Sequence, residues 1–185
     1  MGDHALACGG NSDRILRHNA IRDVIFTAAQ SAALSPRREA PSLVPDSLSR
    51  PADVFLPHWI QGRPAALDVT VISPLQSQTL SQAASTQGAA LRVAEHRKRV
   101  VHLEDCQRAG ITFLPLAMET LGGWSRDAIL SISCISRHLA TRLGLPPVEV
   151  SHHLLQRLSV TLWRFNACMW SCRFAALPAQ VDGLV

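Results

Sequence analysis

Eight consecutive residues in the first half of the chain, Ala65-Ala66-Leu67-Asp68-Val69-Thr70-Val71-Ile72, form an almost continuous apolar run. Because apolar residues here do not alternate regularly with polar ones, the run predicts a central β-strand that is covered on both faces. Asp68 interrupts it. Aspartate is depleted from strand interiors, and burial of its charge is costly without partners. Asp68 is therefore either a hydrogen-bonded structural residue or part of a binding site.

The pattern around this strand predicts a mixture of helices and strands. The elements before residue 124 are expected in the order helix 14–34, strand 52–56, strand 65–72, helix 89–108 and strand 111–117. A proline-rich loop separates the first helix from the first strand, and Gly110 is the expected C-terminal stop of the second helix. This order predicts an α/β sandwich with a mixed sheet and helices on its faces.

The last third of the chain is expected to be helical, at residues 125–143 and 148–174. An apolar stripe recurs there at steps of three and four: Leu155, Leu158, Leu162, Phe165, Met169 and Cys172. The stripe indicates core packing or a partner-binding face. The expected division is a remnant segment at 1–13, an α/β domain at 14–123, a helical extension at 124–178 and a flexible tail at 179–185.

Composition narrows the class of protein. With 185 residues and 47% hydrophobic content, the chain can bury one good core. Five cysteines without framework spacing favour a reducing intracellular compartment without disulfides, and Cys168 and Cys172 are expected to be buried. The most apolar stretch, residues 154–177, contains three arginines, so no membrane span is predicted. The net charge of +4 is compatible with a nucleic-acid partner but does not require one.

Two aspartates on the neighbouring predicted strands form the first candidate site. Asp53 and Asp68 are 15 positions apart, and folding of the two strands against each other could bring their carboxylates together. A divalent metal would explain both acids at once, because Mg²⁺ prefers oxygen ligands.

Lys98 is the only lysine in the chain, against 17 arginines. Arginine already supplies permanent positive charge for phosphate binding, whereas the compact ammonium of lysine can serve chemistry that arginine cannot. A helix that packs across the sheet could direct Lys98 at the acidic pair. The alternative is that Lys98 belongs to a solvated basic run with Arg97 and Arg99.

These residues carry a resemblance to a known family. The segment Arg50-Pro51-Ala52-Asp53-Val54, the segment Ala66-Leu67-Asp68-Val69-Thr70-Val71 and the lysine on the next helix resemble the restriction-like endonuclease domain of non-LTR retrotransposon polyproteins, a branch of the PD-(D/E)xK nucleases. The resemblance implies a restriction-endonuclease-like fold that nicks target DNA in the nucleus with Mg²⁺ or Mn²⁺. It assigns Asp53 and Asp68 as metal ligands, the Val69 carbonyl as a further ligand, and Lys98 as the catalytic lysine.

The chain departs from the family pattern at several positions. Ala52 separates Pro51 from Asp53, and Thr70 stands two positions after Asp68, where the simplest superfamily motif has lysine.

Glu39 is a candidate third acidic ligand, with a solvated glutamate as the alternative.

The N-terminal segment resembles the end of the zinc knuckle that precedes the nuclease in these elements. His4 and Cys8 supply only half of a tetrahedral site, so we expect no zinc in this chain. We therefore expect the chain to be a truncated piece of a longer retroelement polyprotein, with the remainder of that polyprotein as a partner.

Basic residues on two helices are the expected DNA contacts: Arg14, His18, Arg22, Arg97 and Arg99. Arg14, His18 and Arg22 lie at steps of four and make one helical stripe, either a plain solvated face or a surface that follows a phosphate backbone. Two other functions stay open. The chain can be a catalytically inactive or domesticated nucleic-acid-binding remnant, or a helical interaction module built on residues 125–178.

Overall fold

A computed structural model describes Leu6, residues 11–45 and residues 50–174. The helices are α1 (Asn11–Ser31), α2 (Leu80–Ser85), α3 (Ala89–Arg108), α4 (Arg126–Leu143) and α5 (Pro147–Phe174), and a 3₁₀ turn occupies Ile60–Gly62. The strands are β1 (Arg37–Arg38), β2 (Val54–Leu56), β3 (Ala65–Ile72) and β4 (Thr112–Glu119). The expected half zinc site at His4 and Cys8 and the expected tail at 179–185 lie outside the described residues.

The four strands form one mixed sheet in the order β1-β2-β3-β4. The pairs β1–β2 and β2–β3 are antiparallel, whereas β3 and β4, which are joined through α2 and α3, are parallel. The prediction of an α/β fold with a mixed sheet is confirmed, as is the central position of the run Ala65–Ile72. The two-residue strand β1 was not anticipated, because two exposed arginines in a proline-rich loop carry no apolar pattern.

Helices cover both faces of the sheet. On one face, residues such as Val54, Leu67 and Leu116 join a large core with α1, α4 and α5. On the other face, Phe55 and Ala66 belong to a smaller apolar cluster that includes residues of α3. Side chains alternate between the faces of a strand, so Asp68 shares the α3 side with Ala66. This alternation decides which helix can reach the aspartate.

Helix α3 approaches the sheet through small side chains. Ala90 and Ala94 are buried and lie one turn apart on the same helical face, and Lys98 is the next position on that face. Alanines allow close approach of the helix, and Lys98 is thereby directed at β3. Val100, on a different side of this helix, is 71% exposed.

Helices α4 and α5 share their core with the α/β part of the chain. Leu154, Leu158 and Leu162 of α5 belong to the same apolar cluster as Ile21 of α1 and Leu67 of β3. The stripe expected on α5 is therefore used for packing within the chain.

A buried polar bridge reinforces this packing. Arg17 Nη1 donates to Asn166 Oδ1 at 2.8 Å, and Asn166 Nδ2 donates to the Thr120 carbonyl at 2.7 Å. The prediction that Cys168 and Cys172 are buried is wrong: both are exposed, because the packed face of α5 passes through Leu162, Asn166 and Met169. None of the helices among the described residues is long and apolar enough to cross a bilayer.

Candidate active site

The fold brings the two predicted aspartates together at the point where β2 begins. Asp53 directly precedes Val54, which pairs with Leu67, and Asp68 directly follows Leu67. The Asp53 N–H donates to the Leu67 carbonyl at 2.9 Å, so the chain at Asp53 is still attached to β3. The two acids are neighbours across the strand pair, as their spacing predicted.

Asp53 is held by groups from two elements. Its Oδ2 accepts the Val69 N–H at 2.7 Å and lies 3.0 Å from Nε2 of His18 on α1. The same Nε2 lies 3.1 Å from the Val69 carbonyl oxygen. His18 Nε2 thus contacts two of the three groups that were expected to hold a metal.

Asp68 is held on one side only. Lys98 Nζ donates to Asp68 Oδ1 at 2.9 Å, and the Asp68 side chain is 7% exposed. Asp68 Oδ2 is buried and has no hydrogen-bond partner in the part of the chain that the structure describes. Lys98 therefore faces the sheet and does not belong to the solvated run around it. A buried carboxylate oxygen without a partner is costly, so this atom requires a proton or a cation.

Burial and neighbours set the protonation of the site. Burial raises the pKa of Asp68 to about 7, against the opposing effect of the Lys98 ammonium and with a further increase from the charge of Asp53. Burial alone would raise the pKa of Asp53, but the hydrogen bond and charge of His18, with smaller contributions from Val69 and Lys98, lower it below its usual value. The hydrogen bond to Asp53 raises the pKa of His18 above its usual value. Near neutral pH the site therefore holds one firmly ionised carboxylate beside one that titrates.

His18 was predicted as a DNA contact, but the structure directs its ring at Asp53 and the Val69 carbonyl. Its side chain is 30% exposed, and its neighbour Arg17 is buried. Positions 17 and 18 continue the buried stripe of Ile21 and Ile25 by one turn toward the N-terminus. That extension was the sequence signal for a site residue, and the basic pattern concealed it.

The other predicted DNA contacts differ in their availability. Arg22 is buried in ion pairs with Asp23 and Glu39, which contradicts its expected place on a solvated stripe. Arg99 is paired with Asp127 of α4. Exposed Arg97 bonds Gln78 Oε1 at 2.8 Å.

Glu39, the candidate third acidic ligand, has a different partner. Its carboxylate is paired with Arg22, while its N–H donates to the Asp53 carbonyl at 3.1 Å. Glu39 therefore lies directly after β1 and next to Asp53, but its charge is compensated by arginine.

A surface cleft of about 300 Å³ opens over the site between α1, β3 and α3. His18, Val69 and Lys98 line it, together with Arg14 and Thr70. Arg14, one of the predicted DNA contacts, is exposed and lines this opening. Asp53 and Asp68 do not line the cleft themselves, so the cleft meets the cluster through His18, Val69 and Lys98.

The oxygen atoms at this site can bind a hard divalent cation: some belong to side chains and one belongs to the backbone. Among residues 11–45 and 50–174, no three His, Cys, Asp or Glu side chains converge on a metal position. The available donors are the Asp53 carboxylate, the Val69 carbonyl and the unpaired Asp68 oxygen. Oxygen donors of this kind suit Mg²⁺ or Mn²⁺, and the unsatisfied Asp68 oxygen is the observation that favours a cation here.

No protein-family model matches the chain, and a search of curated proteins returns no match. The resemblance described above therefore depends on the residues themselves.

Proposed function

We propose that the chain is a metal-dependent DNA endonuclease that hydrolyses a phosphodiester, acting in the nucleus as part of a retroelement protein. The observation that carries the proposal is the convergence of Asp53, Asp68 and Lys98. These residues come from two neighbouring strands and one helix, and Lys98 Nζ reaches Asp68 at 2.9 Å. Asp68 Oδ2 has no partner among the described residues, and a bound cation would satisfy it.

Asp53, Asp68 and Lys98 can have different roles in hydrolysis. A divalent cation in such a site polarises the phosphodiester and lowers the pKa of water. Asp53 and Asp68 provide the negative charge that attracts the cation. Lys98, which is one-third exposed in the cleft, can orient the attacking water or stabilise the negative charge that develops on the phosphate oxygens.

The position of the site in the cleft supports a polyanionic substrate. Arg14 and Lys98 line the same opening, so both positive charges can contact a phosphate backbone that enters it. The ion pairs of Arg22 and Arg99 leave fewer arginines for DNA than the sequence suggested. We therefore expect the cleft itself, together with exposed Arg97, to dominate DNA affinity.

The test is nicking of supercoiled plasmid by the purified chain with Mg²⁺ or Mn²⁺. Asp68→Asn and Asp53→Asn should each abolish nicking, while the exposed control Glu104→Gln should nick like the wild type. Retained DNA binding without nicking in the wild type would contradict the enzyme and favour a non-catalytic nucleic-acid-binding remnant. Absence of both activities would favour a helical interaction module.

A further inference from the structure

His18 places one ring nitrogen next to two oxygen atoms at once. Its Nε2 lies 3.0 Å from Asp53 Oδ2 and 3.1 Å from the Val69 carbonyl oxygen. One ring nitrogen carries at most one proton, so it must share that proton between two acceptors. The Asp53 oxygen already accepts the Val69 N–H at 2.7 Å.

The same distances match the spacing of ligand atoms around a metal ion. Adjacent ligands of an octahedral ion with bonds of about 2.1 Å lie about 3.0 Å apart. His18 Nε2, Asp53 Oδ2 and the Val69 oxygen have this spacing along both measured edges. His18 Nε2 therefore already lies at coordination spacing from two oxygens that could bind the same ion.

The other ring nitrogen has a partner suited to that role. His18 Nδ1 lies 3.4 Å from Asn19 Oδ1, so a proton on Nδ1 can be donated to the amide oxygen. A histidine ligand commonly donates its second N–H to an oxygen, which fixes the ring and leaves the lone pair of the first nitrogen for the metal. Asn19 offers this contact from the adjacent position on α1.

We propose that His18 is a nitrogen ligand beside the Asp53 carboxylate and the Val69 carbonyl, so that the site combines nitrogen with oxygen and prefers Mn²⁺ to Mg²⁺. The inference rests on the proposed metal site but not on DNA cleavage. Imidazole nitrogen binds first-row transition ions better than it binds Mg²⁺, which strongly favours oxygen and retains its water. His18 then selects the metal.

The experiment measures metal binding directly, without DNA. Mn²⁺ is added to the wild type, to His18→Gln and to the control His96→Gln, whose residue is exposed on α3. Free Mn²⁺ is followed by electron paramagnetic resonance, and pulsed measurements on bound Mn²⁺ detect the magnetic coupling to a histidine ¹⁴N. Mg²⁺ affinity is obtained by competition.

We expect a ¹⁴N signal in the wild type and in His96→Gln, and its loss in His18→Gln. His18→Gln should weaken Mn²⁺ binding by about tenfold or more, with a clearly smaller change for Mg²⁺. Absence of the nitrogen signal from the wild type would overturn the proposal, whether or not His18→Gln folds. Equal Mn²⁺ affinity in wild type and His18→Gln would do the same.

The outcomes separate this inference from the proposed function. Nicking without a nitrogen signal leaves the endonuclease intact and removes His18 as a ligand. A nitrogen signal without nicking leaves the metal site intact and removes the nuclease. A wild type that binds no Mn²⁺ refutes the metal site and His18 together.

Discussion

Asp68→Asn should stabilise the metal-free protein at alkaline pH, although it removes one partner of an ion pair. Burial raises the pKa of Asp68 from its ordinary value of 3.8 to about 7. The folded protein therefore holds a proton on Asp68 at pH values where the unfolded chain has lost it. A carboxyl group with a raised folded pKa contributes stability below its unfolded pKa, and this contribution is lost as pH rises to its folded pKa.

The size of this loss of stability follows from the difference of about three units between the folded and the unfolded pKa of Asp68. Each unit corresponds to about 1.4 kcal/mol, so the wild type should lose up to about 4 kcal/mol between pH 4 and pH 8 through this group. Asparagine has the shape of the protonated acid, and its amide can place an N–H₂ where Asp68 Oδ2 has no partner. Asp68→Asn should therefore equal the wild type near pH 4 and exceed it by about 2–4 kcal/mol at pH 8.

The assay is urea unfolding followed by tryptophan fluorescence at several pH values, with a chelator present. Exposed Glu104→Gln serves as the matched control and should follow the wild type at every pH. Addition of Mn²⁺ at pH 8 should reverse the order, because a cation that binds only the folded wild type stabilises it. A metal-free difference between Asp68→Asn and wild type that is independent of pH would refute the reasoning. So would a less stable Asp68→Asn at pH 8.

Two further substitutions test the site and its support. Lys98→Arg keeps the positive charge but replaces a compact ammonium with a broad guanidinium. Plasmid nicking should therefore fall by on the order of a hundredfold, while DNA binding in gel-shift assays changes little. If Lys98→Arg nicked plasmid as well as the wild type does, Lys98 would be a phosphate contact and not a catalytic residue. Asn166→Ala should lower the free energy of unfolding in urea by roughly 2–3 kcal/mol, because the buried hydrogen bonds to Arg17 and to the Thr120 carbonyl are lost together. A decrease below about 0.5 kcal/mol would show that water replaces these hydrogen bonds.

The strand and helix that carry the site were predictable because their local patterns are strong. The apolar run of β3 and the glycine-terminated helix α3 both occur where the sequence indicated. The spacing of Asp53 and Asp68 across one turn predicted their proximity, since a hairpin connects neighbouring strands. The chain therefore encodes the acidic pair locally, and the structure adds the register that brings the two residues side by side.

The basic residues were harder to assign because long-range packing decides their environment. The stripe of Arg14, His18 and Arg22 has regular helical spacing, but Arg14 alone of the three is exposed. Arg22 is buried against Glu39 from the loop, and Arg17 is buried against Asn166, which is 149 positions away. No periodicity within α1 contains information on a helix so distant in sequence. Charge patterning on a helix is therefore weak evidence of a binding face until the packing of the helix is known.

On α3, two small residues precede a charged one on the same helical face, and this pattern best explains how the sequence positions Lys98. Ala90 and Ala94 bring the helix close to the sheet, and the next residue on that face is the only lysine of the chain. A longer side chain at either alanine would hold α3 away from β3 and move Nζ out of reach of Asp68. Lys98 bonds one Asp68 oxygen and leaves the other without a partner among the described residues. Asp68 therefore keeps one buried oxygen that a proton or a cation would satisfy.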